Sequence, residues 1–254
     1  MLIDTHTHFY DEWLLPDAEA AIARALEAGV GKMIQADVDS RERDALWALN
    51  DAHPGVLYPM LGLYPGSVDD RWEEEIALLP AYRDRGIVAI GEIGLDYHEG
   101  TEWKEQQKEA LRVQLELAAA WDLPVNIHLR DAWEDLFTIL SEKRHLGLRG
   151  NLHCFTASYE IYLRAQKYGD FSVGIGGVVT FRNASLAETV KRIPLEKILL
   201  ETDAPYLAPT PWRGRRNESA YLPLIAARIA ELKGVDPAEV EAVTTANAIQ
   251  LFRL

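Results

Sequence analysis

Cysteine occurs once in this chain of 254 residues, at position 154, which rules out an internal disulfide and a fold stapled by cross-links. The same scarcity fits a reducing compartment, so a cytoplasmic location is expected. Long apolar runs are missing too. The richest helical stretch, Ala110 to Trp121, is broken by Arg112, Gln114 and Glu116, and no membrane span is expected. The start shows neither a basic n-region nor an apolar h-region, and no cleaved leader is expected. Positive charge is also in short supply, with 26 Lys and Arg against 40 Asp and Glu, giving a net charge of −14. That balance repels a polyanion at long range and counts against nonspecific coating of nucleic acid. Any phosphate-bearing substrate must be held locally, by metal ions or clustered arginines.

The chain also lacks a linker, a low-complexity tract or a break in composition, so residues 1–254 are expected to form a single domain. Apolar residues make up 48% and charged residues 26%, an ordinary mix for a globular enzyme. Short β-rich runs alternate with helix-length amphipathic segments throughout. The expected strands are Leu2 to Thr5, Lys32 to Gln35, Val56 to Met60, Ile87 to Ile90, Val125 to Ile127, Gly150 to Leu152, Phe171 to Ile175 and Lys197 to Leu200. Between them fall expected helices at Pro16 to Ala28, Ser40 to His53, Trp72 to Arg83, Glu102 to Trp121, Ala132 to Lys143, Ser158 to Lys167 and Ala184 to Ile193. Two more, Ala220 to Lys233 and Pro237 to Phe252, close the chain. Strands alternating with helices at this period imply parallel pairing with crossover helices, and eight is the number of a TIM (β/α)₈ barrel. An open doubly wound α/β sheet is the alternative, but no glycine-rich phosphate fingerprint follows the first strand.

Placed on those strands, the candidate functional residues fall at one end. His6 and His8 lie two apart after an apolar run, so both imidazoles share a face. Glu92, His128, His153 and Asp203 follow the expected fourth, fifth, sixth and eighth strands. Strand ends of a barrel converge on one mouth, which would gather four imidazoles and two carboxylates from five separate strand ends. Six such ligands exceed one tetrahedral zinc and suit two divalent ions sharing a carboxylate. Glu92, central in the strand order, is the expected bridge. His6, His8 and Asp203 are assigned to one ion and His128 and His153 to the other, with a bridging water or hydroxide whose proton Asp203 takes. Without a thiolate ligand, Mg²⁺, Mn²⁺ and Zn²⁺ all remain open. Strand alternation turns Cys154 away from His153 as a small buried thiol, while His53 and His145 read as surface residues and His98 as a mouth residue with no ligand role.

The blocks Ile3 to His8, Gly91 to Tyr97, His128 to Ala132, His153 to Ser158, Val178 to Ala184, Leu200 to Leu207 and Arg213 to Glu218 together resemble the TatD family of metal-dependent deoxyribonucleases, nearly end to end. The resemblance implies a distorted TIM barrel, a two-metal centre at the six positions named above, and hydrolysis of DNA phosphodiester bonds, often from an end. Two departures stand out. Tyr64, in Gly62-Leu63-Tyr64-Pro65, occupies the place of a family histidine, so a histidine contact to the substrate phosphate becomes a phenol contact. Ser219 stands where the family usually has proline, a change expected to matter little.

Arg213, Arg215 and Arg216 lie in a Pro/Gly-rich stretch after the eighth strand, and guanidinium groups hold phosphate bidentately. They are expected over the metal mouth as phosphate ligands, with Tyr64. Tyr64, Tyr97, Phe155, Tyr206 and Trp212 fall in mouth loops, where aromatics either stack the bases of a single strand or close over a core. A metal-dependent exonuclease on single-stranded DNA is the leading expectation, with no membrane and no obligate protein partner. The alternative is an amidohydrolase acting on a small amide, lactone or phosphotriester. Such enzymes commonly bridge their metals with a carboxylated lysine at the end of the fourth strand, where this chain has Glu92.

Overall fold

Eight parallel strands pair in chain order around one sheet: β1 (Leu2–Thr7), β2 (Val30–Gln35), β3 (Leu57–Leu61), β4 (Ala89–Asp96), β5 (Val125–Arg130), β6 (Arg149–Leu152), β7 (Asp170–Ile175) and β8 (Ile198–Leu200). This computed structural model describes residues 1–98, 100–182 and 185–254. Helices α1 (Ala18–Glu27), α2 (Arg43–Ala52), α3 (Trp72–Leu78), α4 (Lys104–Ala120), α5 (Trp133–Glu142), α6 (Tyr159–Ala165) and α7 (Leu186–Arg192) carry the chain from each strand to the next. After β8 come α8 (Leu222–Lys233) and α9 (Pro237–Phe252). The expected TIM barrel is therefore the fold. Asn183 and Ala184, which open the expected seventh helix and end one family-like block, lie outside the described residues. No described helix is long and apolar enough to cross a membrane.

Local chemistry explains the element ends. Ser158 caps α6 by accepting from Ile161 N, and Asp236 caps α9 by accepting from Ala238 N at 2.8 Å. Gly234, at φ +68°, ends α8 in the left-handed conformation. The expected helix from Trp72 to Arg83 stops at Leu78 and continues as a 3-10 turn over Leu79–Tyr82, where Pro80 supplies no N–H for the ladder.

Three strands run further than their apolar cores suggested. β1 reaches Thr7, β5 reaches Arg130, and β4 continues through two glycines to Asp96, so His6, Glu92 and His128 lie within strands instead of just beyond them. Gly94, at φ +148°, permits this for β4: a Cβ there would stand 1.9 Å from the His128 carbonyl oxygen. Register slips fall between Asp4 and Thr7 in β1 and between Ile90 and Ile93 in β4, bracketing His6 and Glu92. A bulge re-aims a side chain without ending its strand.

The barrel interior grades from apolar to polar. Ile3, Ile34, Met60, Ala89 and Leu199 pack together with Phe252 of α9 at one end. Toward the mouth, Thr5, Gln35, Asn126, Asn151 and Glu201 are fully buried.

Closure is made by few backbone bonds. β1 meets the chain just past β8, where Thr7 bridges Ala204, His8 N donates to Ala204 O at 2.8 Å and Asp203 N to His6 O at 2.9 Å. Asp4 strengthens this seam. Its carboxylate accepts from Thr202 N at 2.9 Å, Thr202 Oγ1 at 2.6 Å and Ser219 Oγ at 2.6 Å. Ser219 thus has a structural task that the expectation of little consequence missed, since proline has no hydroxyl to give. Burial lifts the Asp4 carboxyl to about 6 despite those donors. Asp4→Ala strands four buried donors, His6 N at 3.4 Å among them, and loosens the strand ends that carry His6 and Asp203, and should lower the unfolding free energy by about 2–4 kcal/mol in a urea titration.

Candidate metal centre

Each of the four imidazoles in the barrel mouth has an acceptor on one ring nitrogen and turns the other inward. His6 Nδ1 lies 2.9 Å from Asn126 Oδ1, an acceptor, so the proton sits on Nδ1 and the Nε2 lone pair faces the cluster. Tyr10 donates its hydroxyl proton to Ala36 O at 2.5 Å, leaving its oxygen to accept from His8 Nδ1 at 3.2 Å. Glu201 Oε1 stands 3.1 Å from His153 Nδ1. His128 is turned the other way: Nε2 meets Asp96 Oδ2 at 2.8 Å, and Nδ1 faces Glu92 Oε1 at 2.9 Å. Acceptors that fix tautomer and ring direction in this way are the usual support of metal-ligating histidines.

The inward atoms crowd together. His6 Nε2 and His8 Nε2 are 3.0 Å apart, and Asp203 Oδ1 lies 3.7 Å from the first and 3.6 Å from the second. Glu92 Oε2 stands 3.3 Å from His6 Nε2 and 3.7 Å from His8 Nε2, while Glu92 Oε1 stands 3.8 Å from His153 Nε2. Metal–ligand bonds of about 2.1 Å place tetrahedral ligands about 3.4 Å from one another, and these separations straddle that edge length. Two inward lone pairs 3.0 Å apart repel unless a proton or cation lies between them. The donor set therefore fits divalent metal.

Five of the six expected ligands, His6, His8, Glu92, His153 and Asp203, come together at coordination spacing, in a grouping that differs from the expected one. His6, His8 and Asp203 form one close set, as expected, but His153 stacks on His6 with ring centroids 3.4 Å apart and joins it and Glu92 in a second set. His128 approaches only through Glu92, its ring centroid 6.3 Å from that of His153. Cys154 is also nearer than strand alternation allows: its Sγ lies within 4.8 Å of donor atoms of His153 and Asp203. The chain has left β6 there, and Cys154 takes φ +47°, so the two-residue period no longer applies. Asp203 has φ +59° and half-turns its carboxylate into the cavity in the same manner.

Four supporting residues escaped the sequence reading: Tyr10, Asp96, Asn126 and Glu201. Each lies an even number of positions from a ligand, and this spacing was the available signal. Glu201 is fully buried, accepting from Cys154 N at 2.5 Å and Asn151 Nδ2 at 3.2 Å. A Cβ at position 174 would lie 1.8 Å from its Oε2, so Gly174 makes room for the carboxylate.

Electrostatics follow from this crowding. Burial opposes charge on Glu92, yet His6, His128 and His153 hold its carboxyl well below the usual range. Burial also opposes charge on His153 and His128, but Glu201 and Asp203 lift the first to about 10, and Asp96 with Glu92 lifts the second to about 9. Burial, with the charge of His153, pushes His6 down.

The mouth is a cavity of about 540 Å³. Asp11, Glu12 and Glu42 line its rim and Tyr64 one wall, with the Tyr64 ring 5.0 Å from that of His128. The three arginines line a neighbouring cavity that meets the first at Tyr206. Arg216 is engaged there with Asp17 at 2.6 Å and Glu218 at 2.7 Å. Of the other mouth aromatics, Phe155 is buried, Tyr97 donates to Asp135 at 2.9 Å, and Trp212 stacks on Tyr221. His98 is exposed, with Nδ1 3.1 Å from Asp131.

A family model described as TatD related DNase matches residues 3–253. The chain is 40% identical to YabD, a metal-dependent hydrolase of Bacillus subtilis, over the full length of both. It is 35% identical to a 3'-5' ssDNA/RNA exonuclease TatD of Erwinia billingiae, with 94% of each chain covered. The crystal structure of YJJV, a TatD homolog from Escherichia coli, superposes with a TM-score of 0.92 at 30% identity, covering 100% of this chain and 98% of that one.

Two outcomes test the centre. Glu201→Gln removes the charge behind His153 and should weaken binding of Mn²⁺ or Zn²⁺ about 10- to 100-fold in competition with a chelator. At neutral pH His153 and His128 carry protons that a metal must displace, because their values lie near 10 and 9. Metal affinity should therefore rise between pH 6 and pH 8, with proton release measurable by calorimetry in buffers of different ionisation enthalpy.

Proposed function

The chain belongs to the TatD-related DNase family of metal-dependent hydrolases, and from that premise we propose that it hydrolyses phosphodiester bonds in DNA, shortening single strands from an end. The observation that carries this reading is the set of ring nitrogens and carboxylates of His6, His8, Glu92, His153 and Asp203 at coordination spacing, with an oxygen behind each imidazole. His6, His8 and Asp203 would hold one divalent ion, His128 and His153 a second, with Glu92 shared between them. Two ions there would supply positive charge to offset the phosphate and the acidic rim, and would make a water more acidic.

The chain's own groups then divide the work. Asp203, whose side chain keeps 15% of its surface open to the cavity, takes the proton from the attacking water. Glu92, held ionised, keeps the four imidazoles convergent. Tyr64, beside His128, contacts the phosphate through its phenol. Arg213 and Arg215 receive the chain beyond the cleaved bond. The whole of residues 1–254 acts as one domain, and the single Cys154 fits a reducing cytoplasm.

Metal-stripped protein supplied separately with Mg²⁺, Mn²⁺ or Zn²⁺ should shorten an end-labelled single-stranded oligonucleotide stepwise on a gel. Asp203→Asn should reduce kcat about 10²- to 10⁴-fold, and Glu92→Ala should abolish both the cleavage and the metal-induced thermal stabilisation. Cleavage of an amide or lactone panel with the oligonucleotide untouched would move the protein to the amidohydrolase class.

A further inference from the structure

The cavity beyond Tyr206, of about 710 Å³, is lined by Trp13, Phe181, Tyr206, Leu207, Arg213 and Arg215 among others. Three of the most exposed large apolar side chains of the described residues meet there: Trp13 is 59% exposed, Tyr206 43% and Leu207 42%. Apolar surface gathered beside a catalytic mouth points to a ligand. Nor is the patch loosely held. The Asp11 carboxylate accepts from Trp13 N at 2.8 Å with one oxygen and from the Tyr206 hydroxyl at 2.6 Å with the other. Arg216 donates to the Trp13 carbonyl at 3.1 Å while paired with Asp17 and Glu218. Arg216 thus builds the platform instead of binding phosphate.

Charge complements the rings. Arg213 lies over Phe181 at 4.3 Å and Arg215 over Trp212 at 5.4 Å, and among the described residues neither pairs with a carboxylate. These two free cations stand out in a chain of net charge −14. Aromatic steps also connect the cavity to the metal centre: the His8 and Tyr206 rings are 6.2 Å apart, and the Tyr206 and Trp13 rings 5.9 Å.

We propose that this cavity is a nucleotide subsite of the hydrolytic centre, where an unpaired base stacks on Trp13 beside Tyr206 and its phosphate lies against Arg213 and Arg215. The inference rests on the phosphodiesterase reading and deepens it. A base needs a free π-face to use this platform, and bases inside a duplex have both faces covered by their neighbours. The subsite therefore selects single strands that extend at least one nucleotide past the cleaved bond.

The test compares wild type, Trp13→Ala and Trp13→Phe, all loaded with Mn²⁺, on a single-stranded ten-nucleotide substrate and on bis(p-nitrophenyl) phosphate, which has no base. Trp13→Ala should raise KM for the oligonucleotide roughly 5- to 150-fold with little change in kcat. Trp13→Phe should recover most of that loss, and the effect on the base-free diester should be at least tenfold smaller. An unchanged oligonucleotide KM, or equal losses on both substrates, overturns the subsite. If the wild type cleaves neither substrate, the phosphodiesterase reading fails, and anisotropy of a labelled oligonucleotide still decides the subsite: equal affinity for wild type and Trp13→Ala refutes it.

Discussion

Four imidazoles aimed at one point repel each other, and the arrangement persists only because each ring is held from behind. Asn126, Tyr10 and Asp96 provide that hold by accepting hydrogen bonds from His6, His8 and His128, and the Glu201 carboxylate stands 3.1 Å from His153 Nδ1. Ring direction is thereby set before any cation arrives, and what remains for binding is to displace the protons that His153 and His128 carry. Glu92 and Asp203, kept ionised by the same rings, supply the compensating negative charge. Much else in the architecture serves this cluster: the bulges at His6 and Glu92, the room beside Gly174, and the seam pinned by Asp4.

Such a centre is costly for stability, because buried charge must be matched by partners throughout. The barrel meets this cost by grading its interior. Apolar side chains and Phe252 close one end, while amides, hydroxyls and acids fill the other. A second buried device supports Glu92 through the backbone. Asp37 receives the Glu92 N–H at 3.0 Å with its carbonyl, while its carboxylate pairs with the buried Arg43 guanidinium at 2.9 Å and accepts from Gly62 N at 3.1 Å. Strand β3 ends at Leu61, and above it the chain after β2 reaches across to β4 at Glu92.

Charge around the mouth is divided by task. The rim of Asp11, Glu12 and Glu42 disfavours a bare polyanion. The uncommitted guanidiniums of Arg213 and Arg215 stand one aromatic step away, past Tyr206. Asp11 links the two regions, since the carboxylate that faces the metal cavity also holds Trp13 and Tyr206 in place.

Local regularities already present in the sequence determined the barrel and its six mouth residues. Apolar runs of strand length alternated with amphipathic helices eight times, and a histidine or acid lay at or just past five of the runs. Periodicity of two and of 3.6 residues is a property of neighbouring positions, so it is legible without the fold. The folded chain alone decided that His153 stacks on His6, that Cys154 turns toward the centre, that β4 continues through Gly91 and Gly94, and that Arg216 braces Trp13. Those outcomes depend on bulges, on left-handed residues such as Cys154 and Asp203, and on distances between segments as remote as residues 13 and 216, where the local period ends and packing across the barrel takes over.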